Sequence, residues 1–86
     1  MYVILVYDIE SARVSKMLKL CRSHLHWIQN SVFEGEITKA TLKNLLHKAK
    51  HIMNTEKDSL IIFMGNEKWL QKQTIGIEKN KLDNIL

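Results

Sequence analysis

A carboxylate that closes an apolar strand is well placed to hold a cation, and Asp8 directly follows the run Met1 to Tyr7, with Glu10 two residues further on. The same position also suits a turn former, or a charge that complements the N-terminus of a following helix. One carboxylate alone is a poor Mg²⁺ site, because the ion takes about six oxygens and keeps several of them as water. A two-fold axis changes that count. Where the ends of two first strands meet at such an axis, two copies of Asp8 share one hydrated Mg²⁺, and an activated water is placed to attack a phosphodiester.

The other candidate groups are less specific. His24 and His26 alternate without cysteine partners, while His47 and His51 lie four apart on an expected helix, without the intervening glutamate of a zinc-protease helix. Cys21 falls on an apolar stripe, which suits a structural thiol better than a nucleophile. There is no glycine-rich phosphate loop. Arg13, Lys16, Lys19 and Arg22 recur on the first expected helix, and Lys39, Lys43, Lys48 and Lys50 on the second. Each row reads equally as a solvated face or as a phosphate-contacting surface, and phosphate contacts bring affinity with little sequence selectivity. Ser31 and Phe33 offer a polar and an aromatic contact beside an expected strand break, although a phenylalanine there also suits a core.

These residues need elements to position them. Met1 to Tyr7 reads as a strand with apolar residues on both faces, hence mid-sheet. Ser11 is placed to cap a helix carrying Val14, Met17, Leu18 and Cys21 on one stripe. Trp27 to Ile37 is β-prone but interrupted at Gln29, Asn30 and Ser31, so it is either one bent strand or two short ones. Thr38 caps a second helix, with Leu42, Leu45, Leu46, Ala49, Ile52 and Met53 on one face and an end near Asn54. Asp58 to Gly65 reads as a second strand buried on both faces and next to the first. A turn or short helix follows around Asn66 to Leu70. A short fifth strand is expected at Thr74 to Glu78, then a loose tail from Lys79 to Leu86.

The order β, α, β, β, α, β predicts an α+β, ferredoxin-like sandwich over residues 1–78, with an extra C-terminal strand and a tail over 79–86. Two helices cover only one face of such a sheet, so a second copy of the chain is expected on the other, giving a homodimer. The C-terminal strand would then add to the partner's sheet edge.

Eighty-six residues suit one domain, and 13 Lys plus Arg against 9 Asp plus Glu leave a net charge of +4, which favours polyanionic partners. A single cysteine forms no internal disulfide, no export signal is visible, and no apolar run approaches the ~20 residues of a membrane-spanning helix. A cytoplasmic protein is expected.

Two segments together carry a family resemblance: Val6-Tyr7-Asp8-Ile9, and Gln29-Asn30-Ser31-Val32-Phe33-Glu34-Gly35-Glu36 about twenty residues later. With the chain length, they resemble the CRISPR-associated Cas-two (Cas2) family over about residues 1 to 65. The resemblance implies a ferredoxin-like homodimer that joins the Cas-one integrase in spacer acquisition, bridging two integrase dimers across DNA. It also implies Mg²⁺-dependent endonuclease activity on single-stranded RNA or double-stranded DNA. By position, Asp8 is then the metal-binding aspartate with Tyr7 beside it, Arg13 a basic contact, and Ser31 and Phe33 neighbours of the cleft. The pattern departs at His26 and Trp27, where many relatives have basic residues, so phosphate contact there depends on histidine protonation. A nuclease, a basic adaptor without catalysis and a toxin ribonuclease of the VapD type are the competing functions.

Overall fold

A computed structural model describes residues 1–66 and 71–80 of the chain. Its elements are β1 (Tyr2–Asp8), α1 (Ser11–Arg22), β2 (His26–Gln29), β3 (Val32–Glu36), α2 (Lys39–Ile52) and β4 (Ser59–Gly65). The four strands form an antiparallel sheet in the order β2-β3-β1-β4, which is the ferredoxin-like arrangement. β1 is central and β4 is its neighbour, as the two most apolar segments predict.

Alternation along the strands divides the sheet into two faces. Val3, Leu5 and Tyr7 of β1 and Phe33 of β3 pack under the helices. They meet Met17 and Cys21 from α1 and Leu42, Leu45 and Ala49 from α2, the stripes expected from their helical spacing. Gly35, opposite Val3, sits in a tight contact: a Cβ there would stand 3.3 Å from the Leu25 side chain, which would have to shift by a few tenths of an ångström.

Four details differ from expectation or resolve it. The β-prone stretch after α1 is two strands, because Asn30 adopts a φ of 45° that reverses the chain between Gln29 and Val32. Ser11 does not cap α1: it is the first helical residue, and the N-cap is Glu10, whose side chain makes no capping bond. Thr38 caps α2 as predicted, its hydroxyl accepting from the Thr41 amide at 3.1 Å. β4 is covered on one face only, and Ile61 and Phe63 remain 53% and 49% exposed on the other.

The fifth strand is not formed within this chain. Residues 71–80 are irregular, with Gly76 at a φ of 96°, and they return towards β2 and β3. There Lys72 lies 3.9 Å from Glu34, and the Asn80 amide donates to the Trp27 carbonyl. Ile75 and Ile77 stay 92% and 72% exposed, and the segment joins neither of the sheet's outer strands, β2 and β4, as a further strand. The turn or helix expected around Asn66 to Leu70 and most of the Lys79 to Leu86 tail lie outside the described residues.

Candidate functional site

The last residue of β1 carries the exposed carboxylate. Asp8 stands directly opposite Ser59, and the strand alternation puts it on the sheet face away from the helices, in line with Ile4 and Val6. Its side chain has no hydrogen-bond or ion-pair partner among the described residues. Beside it is the tip of the β2–β3 hairpin, where the Ser31 carbonyl accepts from the Tyr7 amide at 3.2 Å. That bond joins the hairpin tip to β1 one residue before Asp8.

Of the sequence-predicted site residues, the structure brings Asp8 and Ser31 to one end of the sheet and places Tyr7 and Phe33 beneath them. Tyr7 is 6% exposed and Phe33 fully buried, their rings stacked at 5.9 Å and 25°. Both point into the helix-facing core, so neither ring presents a surface to a ligand. Burial pushes the Tyr7 phenol above its ordinary pKa. The two rings form the floor on which the end of β1 rests.

Arg13 is part-buried, with its guanidinium turned onto Asp58. Its Nε donates to Asp58 Oδ2 at 2.7 Å and its Nη2 to Asp58 Oδ1 at 2.9 Å and to Glu10 Oε1 at 3.0 Å. Asp58, fully buried, also accepts from the Glu10 amide at 3.0 Å and the Asn54 amide at 2.9 Å. The paired guanidinium, ahead of the two amides, holds the Asp58 carboxyl well below the usual carboxylate range. Sequence reasoning treated Asp58 only as the start of a strand. Nothing local betrays its role, because its partner lies 45 residues away.

Lys16 and Lys19 of α1, and Lys39, Lys43, Lys48 and Lys50 of α2, are exposed on the outer helical surface. Arg22 lies over the Trp27 ring, 5.5 Å from its centroid. His47 and His51 contact each other on the solvent face of α2, with their Nε2 atoms 3.3 Å apart. Cys21 is fully buried, and its thiol is pushed up to about 12 by burial, so it is inert.

No three His, Cys, Asp or Glu residues gather into a metal site among the described residues. Asp8 by itself has the right chemistry for a hard cation: an accessible oxygen donor not committed to any other group. Mg²⁺ characteristically takes one or two carboxylates and completes its shell with water and substrate phosphate. No helix among the described residues is long and apolar enough to cross a membrane.

The family described as "CRISPR associated protein Cas2" matches residues 1–73. The chain is 48% identical to the "CRISPR-associated endoribonuclease Cas2" of Dictyoglomus turgidum, over the whole of both chains. It is 44% identical to the protein of the same description from Methanocaldococcus jannaschii, covering all of this chain and 76% of that one. A solved structure described as "Crystal structure of cas2" superposes with a TM-score of 0.86 at 43% identity, covering 92% of this chain and 90% of the other. The Streptococcus pyogenes Cas2 structure at pH 6.5 does so at 0.79 and 28%, covering 88% of this chain and all of the other.

Proposed function

Since this chain belongs to the CRISPR-associated Cas2 family, we propose that it is a cytoplasmic CRISPR adaptation protein: a homodimer that bridges Cas-one integrase dimers in spacer acquisition and has Mg²⁺-dependent endonuclease activity. Single-stranded RNA is the first substrate to try, because its relatives are described as endoribonucleases; double-stranded DNA is the second. The observation that carries this reading is the uncommitted Asp8 carboxylate at the margin of a sheet face that still exposes Ile61 and Phe63.

Covering that face with a second copy would remove apolar surface from water, and a two-fold axis near the end of β1 would bring the two Asp8 carboxylates together. Asp8 from each protomer would hold the cation. Bound there, Mg²⁺ supplies charge neutralisation at the scissile phosphate and lowers the pKa of water. The chain's own contribution is placement. The Tyr7–Phe33 floor and the Ser31 carbonyl fix the end of β1, and the exposed lysines of α1 and α2 hold the polyanion by its phosphates. The same lysines suit the adaptor role too, since holding a duplex by its phosphates needs no cleavage.

The test incubates the purified protein with single-stranded RNA or double-stranded DNA, in Mg²⁺ or EDTA, comparing wild type with Asp8→Asn. Cleavage that needs both the metal and Asp8 is expected, with the variant down by at least 100-fold and still folded. Equal cleavage by Asp8→Asn would remove Asp8 from the chemistry. Absence of cleavage by the wild type would leave the adaptor role alone.

A further inference from the structure

The sequence marks Arg13 as a nucleic-acid contact, but its guanidinium is turned onto a buried carboxylate next to the strand end that carries Asp8. We infer that Arg13 and Asp58 are positioning residues for Asp8, and that Arg13 does not bind phosphate. The inference rests on the Asp8-centred reading above and adds to it the device that aims the carboxylate.

Its basis is where the grips fall. Asp58 immediately precedes Ser59, the residue directly opposite Asp8 in the β1–β4 ladder. Its Oδ1 takes the amide of Glu10, two residues after Asp8. One carboxylate therefore ties the exit of β1 to the entry of β4, on both sides of the Asp8–Ser59 pair. Arg13 closes the ring by bonding both oxygens of Asp58 and reaching Glu10 as well. The start of α1 has no side-chain cap of its own, so this clamp is what anchors the two-residue link between Asp8 and the helix.

A phosphate competing for Arg13 would have to displace a bidentate, charge-assisted pair and leave a fully buried carboxylate uncompensated. Lys16, one turn along the helix and exposed, faces no such obstacle. Phosphate contact on this part of α1 therefore falls to Lys16.

The experiment is a double-mutant cycle with Arg13→Gln, Asp58→Asn and the pair, read in three ways. Turnover on single-stranded RNA in Mg²⁺ should fall about ten-fold in each single variant with KM unchanged, and the double variant should be no worse than the weaker single. RNA binding in EDTA should keep its affinity and its salt dependence in all three. Amide exchange at Ile9 and Glu10 should accelerate at least ten-fold in each variant. A loss of RNA affinity in Arg13→Gln, with the salt slope down by about one and no such change in Asp58→Asn, would overturn the inference. So would additive losses of turnover, or unchanged exchange. Because exchange and binding need no cleavage, a wild type that never cuts RNA refutes the nuclease reading while these arms still decide the clamp. Arg13→Gln leaves Asp58 its two backbone donors, so it reports even if Asp58→Asn fails to fold.

Discussion

At the scale of single residues, the paired groups around the end of β1 are fixed by complementary chemistry. Asp58 is buried as an anion because Arg13 and two amides replace its water. Its pKa in the folded chain is lowered, chiefly by the Arg13 hydrogen bond, from an ordinary value of 3.8. A lowered folded value means that the unfolded chain binds the proton more readily. The stabilisation is thus complete above about pH 4 and is lost progressively as the pH falls below it. Chemical denaturation at a series of pH values should show wild-type stability falling on acidification from pH ~4, with a shallower slope in Asp58→Asn. Equal slopes would mean that other carboxylates govern acid unfolding.

At the scale of elements, the two helices start in different ways. α2 begins with a local device, the Thr38 hydroxyl on the Thr41 amide. α1 begins with a long-range one, in which Asp58 from the turn before β4 holds the Glu10 amide. Thr38→Ala should therefore cost about 1 kcal/mol in urea unfolding, the usual loss for a helix cap. Ser11→Ala, at a hydroxyl that caps nothing, should change stability by less than about 0.5 kcal/mol. The reverse order would show that α1 is capped by Ser11 after all.

At the scale of the whole molecule, the unequal faces of the sheet decide what the chain can do alone. One face is covered by α1 and α2, except at the end of β4, where Met64 is 56% exposed. The other pairs Ile4 with Phe63 and Val6 with Ile61, leaving apolar side chains in water. Ile75 and Ile77 of the C-terminal segment are exposed as well. A second copy is the occupant that the proposed function requires. Phe63→Asp should shift sedimentation from dimer to monomer, and the shared Asp8 site predicts that cleavage falls with it. A Phe63→Asp protein that stays dimeric would place the interface elsewhere.

The sequence by itself determined β1, β4, the two helices with their amphipathic stripes and the order of these elements, because periodic burial and the Thr38 cap are written in neighbouring residues. It left one bent strand or two open after α1 and predicted a fifth strand that the described residues do not form. It also singled out Asp8, since a carboxylate ending an apolar strand is a local pattern, and the two motifs beside it pointed to the family. Tertiary structure alone decided that Phe33 and Tyr7 lie under the site rather than on it, because a one-residue step in strand register exchanges the two faces. It alone paired Arg13 with Asp58 across 45 residues of chain, a contact that no spacing rule reaches. It alone also decided that residues 74–78 form no strand, although the outer strands β2 and β4 offer edges, because local β-propensity does not fix which edge a segment pairs with.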